Sequence, residues 1–297
     1  MRHLTVLRYI EDVGRSGSIR RTSERVNLTP SALTRKIQDF ERELGVPVFE
    51  RLPHGMRLNA AGELLVQYIR SQSADLERLR SRIADLSGVR RGHIAIACSQ
   101  AFTDHVLPVE IETYRRSFPA VTFLAQVRDH AAGVEALEKF EVDIAWLVQP
   151  PPAPDMDVLL QGRQPLCALM GGTHPLAAEN GPVRLRDCFA YPVAMPDASL
   201  AIRHLIDAAR RGLLSSDNIQ IESGSLEFLR NYVTQEHAVS FQVSAGIPLA
   251  RADLHARPID ERDMESVAVV LGQQRGRRLS VAVSKFIDQL SKHPLWS

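Results

Sequence analysis

Apolar side chains recur every three or four residues at the start of the chain, which predicts short helices. The first helix carries Leu4, Leu7, Ile10 and Val13 on one face. A second helix is expected over residues 19–26, with Ser18 as its N-cap. A third is expected over residues 30–44, where Thr29 is the N-cap, a proline takes the first position and Gly45 stops the helix.

The third helix has an apolar face and a polar face. Its apolar stripe consists of Leu33, Ile37, Phe40 and Leu44. We expect this stripe to pack against the first two helices. The face that stays exposed is then polar and carries no carboxylate. Two short strands are expected over residues 46–49 and 56–58, joined by a turn at residues 53–55. Together these elements predict a winged helix-turn-helix over residues 1–59.

Residues 60–87 form one long predicted helix with an apolar seam. The apolar members of the seam are spaced by three and four residues and are Leu65, Ile69, Leu76, Leu79, Ile83 and Leu86. Such a seam, with Gln72 as its one polar member, is typical of a coiled coil. The helix should be roughly 40 Å long, too long for a small head to cover. We therefore predict a dimer, although the seam could instead pack on the C-terminal part of its own chain.

Strand-like and helix-like patterns alternate after a hinge at residues 88–92, which predicts an α/β domain over residues 93–297. The predicted strands lie near 93–99, 121–127, 142–148, 165–170, 191–195, 218–222 and 238–242. The predicted helices lie near 103–117, 133–140, 199–211, 225–234 and 277–291. A parallel or mixed sheet follows from this order, but one sheet and two lobes both remain open.

Charge is divided unevenly along the 297 residues, whose net charge is +1. Residues 1–91 hold 17 basic and 11 acidic side chains, a net +6, whereas residues 92–297 hold 19 and 24, a net −5. A basic head on an acidic body predicts an anionic partner for the head. The sign of the charge leaves DNA, RNA and a membrane surface open.

Composition excludes several classes of protein. Hydrophobic residues make up 44% of the chain and charged residues 24%, which excludes a disordered or fibrous protein. No apolar run approaches the roughly 18 residues of a transmembrane helix, and the start lacks a secretory signal. Cys98, Cys167 and Cys188 fit neither a disulfide framework nor a zinc site. We expect a cytoplasmic protein with reduced thiols, no cofactor and no membrane partner.

Four segments resemble the LysR-type transcriptional regulators. They are residues 18–27, 31–37, 44–51 and 57–62, of which the third is close to the family's leucine-glycine-x-x-leucine-phenylalanine-x-arginine motif. The resemblance covers the full length and implies a C-terminal domain of two lobes, built like a periplasmic binding protein. Lobe one would combine residues 93–162 with 266–297, and lobe two would be residues 163–265. It also implies a dimer or tetramer, a small-molecule effector between the lobes, and control of transcription through promoter DNA and RNA polymerase.

The third helix should enter the major groove of DNA with its N-terminal half against base edges. Arg35 is the best base reader, because a guanidinium can bond guanine O6 and N7 together. The candidate DNA-binding residues are Ser18, Arg20, Thr29, Pro30, Ser31, Thr34, Arg35, Lys36, Gln38, Arg51, His54 and Arg57. Two alternatives stay open: Arg35 could pair with Asp39, and Arg51 could pair with Glu50.

Two predicted helix starts could hold an anionic effector, because free backbone N–H groups and hydroxyls meet there. The candidate effector-binding residues are Ser99, Gln100, Thr103, Trp146, Ser223, Gly224, Ser225 and Phe241. We expect a small carboxylate or aromatic acid, with Trp146 and Phe241 as apolar walls. Ser99 could instead be only an N-cap, and Trp146 only a core residue.

The sequence carries no dinucleotide fingerprint, phosphate loop, HExxH or GxSxG pattern, so we expect no enzyme. Two other hypotheses remain. Cys167 and Cys188 could make the protein a thiol-based redox-sensing regulator, although a buried and inert Cys167 is favoured by its apolar strand. Alternatively, a small-molecule-binding or enzymatic α/β domain could carry a head that binds polyanions without specificity.

Overall fold

The computed structural model describes residues 2–52, 55–86, 91–210, 218–248 and 251–296. The chain divides into two compact units, residues 1–80 and 81–297, and the division falls inside a long helix. Among the described helices, none combines the length and the apolar character that crossing a membrane requires.

The first unit is a helical head with a two-stranded wing. Its elements are α1 (Arg2–Ser16), α2 (Ile19–Arg25), α3 (Pro30–Leu44), β1 (Phe49–Leu52), β2 (Gly55–Leu58) and the start of α4 (Ala60–Leu86). The helices end where local sequence ends them. Ser18 and Thr29 accept hydrogen bonds from the first turns of α2 and α3, and Gly45 has a φ of 83°, a left-handed conformation that suits glycine.

The wing begins later than the sequence predicts. β1 starts at Phe49, which pairs with Leu58, rather than at residue 46. Pro47 has no N–H to donate, and the Val48 N–H donates to Glu41 Oε1 at 2.8 Å, so neither joins the strand ladder. The predicted turn at residues 53 and 54 lies outside the described residues.

The head's core also takes up part of the predicted dimer seam. Ile69 is only 2% exposed and packs in one cluster with Ile10, Val13 and Leu33, and Leu65 packs against the same cluster. The prediction that Leu65 and Ile69 face a second chain is therefore wrong, because Ile69 is buried in the hydrophobic core of the head and Leu65 packs against that core. The large apolar side chains that α4 leaves exposed are Leu64, Tyr68, Leu79 and Ile83. Leu76 is half-buried, and the side chain of Leu86 is outside the described part.

The second unit contains two main sheets. A mixed sheet has the order β4-β3-β5-β12-β6, and its strands are β3 (Gly92–Cys98), β4 (Val121–Val127), β5 (Ile144–Val148), β6 (Met156–Gln164) and β12 (Val267–Gln274). An antiparallel sheet has the order β10-β7-β11, with β7 (Leu166–Gly171), β10 (Ser240–Val243) and β11 (Leu254–Pro258). A parallel pair consists of β8 (Val193–Pro196) and β9 (Ile219–Ser223).

Helices pack around these sheets. They are α5 (Gln100–Thr103), α6 (Val106–Ser117), α7 (His130–Glu138), α8 (Leu185–Cys188), α9 (Ala201–Ala209), α10 (Leu226–Gln235) and α11 (Val281–Leu290). The helix expected near 103–117 begins only at Val106, because His105, with a φ of −131°, interrupts the helical backbone, and the separate short helix α5 precedes it. The last helix begins at residue 281 rather than 277, where Ser280 caps it.

Three strands were not predicted: β6, β11 and β12. β6 has no regular alternation of buried and exposed positions, so period-two reasoning does not find it. β12 returns from the end of the chain and lies between β5 and β6, pairing antiparallel with both. The chain therefore leaves the mixed sheet after β6, builds the antiparallel sheet, and comes back.

Candidate DNA interface and ligand cleft

The exposed face of α3 carries free cationic groups. Arg35 and Lys36 are exposed and form no hydrogen bond or ion pair with any residue that the structure describes. Asp39 bonds Arg42 instead, so the alternative that Arg35 pairs with Asp39 is wrong. Gln38 is also exposed on this helix.

The hydroxyls at the start of α3 are already ordered by the helix itself. Thr29 Oγ1 accepts from the Ala32 N–H at 3.2 Å and lies 3.1 Å from Ser31 Oγ. Thr34 Oγ1 donates to the Pro30 carbonyl at 2.8 Å. Pro30 occupies the first helical position, where its missing N–H removes no helical bond. The first turn is therefore a fixed, exposed surface.

The other DNA-binding candidates surround α3 less completely. Ser18 caps α2, and Arg20 makes an exposed pair with Glu24 at 3.4 Å. In the wing, Glu50 pairs with Arg57 at 2.9 Å, whereas the alternative expected from the sequence was a pair between Glu50 and Arg51. Such exposed pairs contribute little stability. The side chain of Arg51 and all of His54 lie outside the described residues.

The carboxyl ends of the parallel strands β3, β4 and β5 meet at one edge of the mixed sheet. Ser99, which follows β3, is buried, and its Oγ donates to Asp129 Oδ1 at 2.8 Å and accepts from the Val148 N–H at 3.0 Å. Burial raises the pKa of Asp129, although the bonds from Ser99 and the His130 N–H oppose the shift. The protein's own carboxylate thus occupies the place expected for an effector anion.

This geometry corrects the predicted role of Ser99. A hydroxyl has one proton to donate, and Asp129 takes it. Ser99 does stand at the N-cap position of α5, as the alternative proposed, but its side chain makes no capping bond there.

At the second predicted helix start, that of α10, a backbone N–H already bonds a side chain of α5, the first predicted helix start. The Leu226 N–H donates to Gln100 Oε1 at 2.5 Å, across 126 positions of sequence. Ser225 caps α10 by accepting from the Phe228 N–H, and Ser223 Oγ accepts from the Ser225 N–H. Gln100 therefore bridges the two candidate anion sites and takes the donor that an effector would use.

Two smaller candidates lie beside the same helix starts. Thr103 Oγ1 donates to the Gln100 carbonyl at 2.9 Å, so it supports α5. Gly224 lies against Asp197, and a Cβ added at this glycine would be 2.8 Å from the Asp197 Oδ2 atom. A side chain at position 224 would therefore crowd the Asp197 carboxylate.

Neither aromatic candidate has a surface that a ligand could contact. Trp146 has no exposed surface and stacks on Phe102 with ring centroids 5.0 Å apart. Phe241 is equally buried and stacks on Phe189 at 5.9 Å. The predicted wall roles of Trp146 and Phe241 are therefore wrong, because both rings are part of the hydrophobic core.

The structure adds polar contacts that the sequence did not reveal. Arg230 of α10 is 3% exposed and bonds Asp104 at 2.6 Å and Gln242 at 3.1 Å. The rings of His130 and His204 lie 4.9 Å apart. No local pattern identifies these pairs, because their members are distant in sequence. One signal was available: Asp129 and His130 lie shortly after β4, and ligands bind at the carboxyl ends of strands in α/β sheets.

The cysteines are poorly placed for redox sensing. Cys167 and Cys188 are buried free thiols, and burial raises their pKa values to about 11 and about 12. The reactive form of cysteine is the thiolate, which such values suppress. In the part of the chain that the structure describes, no three His, Cys, Asp or Glu side chains are grouped to hold a metal ion.

Comparisons with known proteins agree with the fold and the resemblance. Residues 4–63 match the family described as bacterial regulatory helix-turn-helix protein, lysR family, and residues 87–294 match the LysR substrate binding domain. A probable RuBisCO transcriptional regulator of Synechocystis is 24% identical, over 98% of this chain and 87% of its own length.

Solved structures show the same architecture. Full-length OxyR from Pseudomonas aeruginosa superposes with a TM-score of 0.74 at 19% identity, over 99% of this chain and 96% of its own. Full-length CbnR complexed with its target DNA gives 0.66 at 17% identity, over 96% and 98%. The family matches together cover most of the chain in the expected order. The chain therefore belongs to the LysR family of DNA-binding transcriptional regulators.

Proposed function

We propose that α3 reads promoter sequence through Arg35, with Ser31, Thr34 and Gln38 contacting bases or phosphates. The observation that carries this proposal is an exposed guanidinium without a described partner, on a helix whose first turn is fixed by Thr29. Lys36 is assigned to phosphate, since an ammonium on a flexible stem binds as a point charge. Arg20, Arg51, His54 and Arg57 are proposed backbone contacts of the flanking helix and wing, together with Ser18, Thr29 and Pro30 at the helix starts.

We further propose that two chains associate through α4. The exposed side chains of Leu64, Tyr68, Leu79 and Ile83 support an apolar contact between helices. A dimer, or a pair of dimers, would place two heads on a dyad-symmetric site and present the complex to RNA polymerase. The protein would act in the cytoplasm, without catalytic activity.

The effector is proposed to bind between two lobes, residues 93–162 with 266–297 and residues 163–265. Its acceptor group, such as the carboxylate of an organic acid, would displace the Gln100 amide oxygen from the Leu226 N–H. Effector binding would then change the spacing or angle of the heads and the bend of the DNA. This is allostery only if the effector binds the two arrangements with different affinity.

Fluorescence anisotropy with a bound promoter fragment tests the DNA assignment. Arg35→Ala should lose a factor of about 5 to 150 in affinity for the specific site, equivalent to about 1–3 kcal/mol, and little for random DNA. Lys36→Ala should weaken both and lower the salt slope by about 1. Equal losses by Arg35→Ala on specific and random DNA would contradict base reading.

A further inference from the structure

A short segment that follows the mixed sheet contacts the half of the second unit that is built on the antiparallel sheet. Residues 99–105 come directly after β3 and contain α5, which contacts the 3-10 turn Ser244–Gly246 beyond β10. The helical backbone is interrupted at His105, where φ is −131°. α5 is thus not the first turn of α6, and its placement depends on the contacts that it makes itself.

Two polar contacts join this segment to α10. The Leu226 N–H donates to Gln100 Oε1 at 2.5 Å, and Arg230 Nη2 donates to Asp104 Oδ2 at 2.6 Å. The two acceptors are four residues apart in the chain, and so are the two donors. Because a helical side chain leans back over the preceding turn, the Arg230 guanidinium reaches towards the start of α10. One short segment therefore supplies two acceptors to two donors of one helix.

The backbone of the segment also lies close to the 3-10 turn. A Cβ added at Gly246 would be 2.2 Å from the Ala101 carbonyl oxygen. The Gly246 carbonyl accepts from Gln242 Nε2 at 2.6 Å, and Gln242 Oε1 accepts from Arg230 at 3.1 Å. Arg230, Gln242 and Gly246 thus form one bonded chain, and the segment contacts both of its ends.

Burial makes the ion pair of this segment hard to loosen gradually. Arg230 is 3% exposed, whereas the Asp104 side chain is 46% exposed. A nearly buried guanidinium that loses its acid partner is strongly unfavourable unless water reaches it. Moving the segment away from α10 would admit water to Arg230 and would break the Leu226 bond in the same step. Contacts of this kind have two discrete arrangements, made or broken.

We propose that residues 99–105 are a latch between the two halves of the second unit, and that its contacts to Leu226 and Arg230 open together. One part rests on the proposed function: an effector that takes the Leu226 N–H would also release Arg230 from Asp104, and this opening would change the bend of the bound DNA. The stability of the latch then sets the response, because a ligand that needs the open arrangement binds in proportion to its population.

Hydrogen–deuterium exchange of the full chain, resolved to single amides by mass spectrometry, measures the opening. The Leu226 amide is bonded to Gln100, so its exchange rate reports the latch. In the wild type it should exchange through a partial opening, faster than the β7 amides that report global unfolding. Asp104→Ala removes no bond of Leu226, yet it should accelerate exchange of this amide by about 30- to 150-fold. The closed latch loses its ion pair in this variant, whereas the open latch has none to lose.

Asp157→Ala is the matched control for Asp104→Ala. The Asp157 side chain is 41% exposed and pairs with Arg275 at 3.3 Å, at the paired strands β6 and β12 of the mixed sheet. This variant should leave exchange of the Leu226 amide within about twofold of the wild type. An unchanged rate in Asp104→Ala would overturn the latch. Exchange of the wild-type Leu226 amide only through global unfolding would overturn it as well.

Gel mobility of circularly permuted promoter fragments tests the link to DNA. Without any effector, Asp104→Ala should change the bend of the bound fragment, and Asp157→Ala should not. An accelerated Leu226 amide with an unchanged bend would overturn the regulatory role of the latch. Absence of specific DNA binding by the wild type would instead mark failure of the proposed function, and the exchange measurement would still decide whether the latch opens.

Discussion

Replacing Asp104 by alanine should destabilise the second unit more than replacing its partner Arg230 by methionine. Arg230 is nearly buried, and its remaining partner would be Gln242. Leaving such a charge unpaired costs about 3–5 kcal/mol when both groups are buried. The Asp104 side chain is 46% exposed, so water can replace part of the lost interaction, and we expect about 2–3 kcal/mol.

Arg230→Met removes the buried charge as well as the bond. Asp104 then returns to water, and the main loss is the donor to the Gln242 Oε1 atom, about 1 kcal/mol. In the double variant, Asp104→Ala should add almost nothing to Arg230→Met. The coupling energy between the two sites is therefore expected to be about 2 kcal/mol.

Urea unfolding of the full chain, followed by tryptophan fluorescence, measures all four proteins of this cycle. Both tryptophans lie in the second unit, so the head does not contribute to the signal. Effects that add within about 0.5 kcal/mol would refute the reasoning, because two residues in contact within one hydrogen-bond network should have coupled free energies of unfolding. A larger cost for Arg230→Met than for Asp104→Ala would refute it as well.

Three further predictions follow from single sites. Gly62→Ala places a Cβ 2.1 Å from the Val48 carbonyl oxygen and should destabilise the head by about 1–3 kcal/mol, which circular dichroism should detect while the tryptophan transition stays unchanged. Arg184 lowers the pKa of Asp263, so their bond stabilises the fold above about pH 4 and is lost as pH falls; Asp263→Asn should lower the Tm at pH 7 and change it little near pH 2. Leu79→Asp should shift the dimer towards monomer in sedimentation, whereas Val158→Asp, at a similarly exposed position outside α4, should not.

The head was predictable because its signals are local. Thr29 caps α3, and Gly45 adopts the left-handed conformation that ends it, so the predicted limits of this helix match the observed ones. The seam of α4 was misjudged for a different reason. The spacing of apolar residues alone cannot distinguish a stripe that packs on another chain from one that packs within its own domain. Leu65 and Ile69 pack within the head.

The candidate effector-binding residues were less predictable because their contacts are long-range. Gln100 and Ser225 were correctly placed at helix starts, but the bond from the Leu226 N–H to Gln100 joins elements 126 positions apart. The carboxylate of Asp129, which fills the Ser99 site, follows a different strand. A sequence pattern indicates which hydrogen-bonding groups lie at a strand end. It does not indicate which side chain of the same protein already forms hydrogen bonds with those groups.

Selection of bound fragments from genomic DNA, at two salt concentrations, tests the central claim most directly. Wild type and Arg35→Ala should be compared with Arg42→Ala, whose guanidinium is paired with Asp39. We expect wild type and Arg42→Ala to enrich the same dyad-symmetric site and Arg35→Ala to relax the sequence preference. Weak, steeply salt-dependent binding without enrichment by the wild type would contradict the account and indicate a general polyanion-binding head.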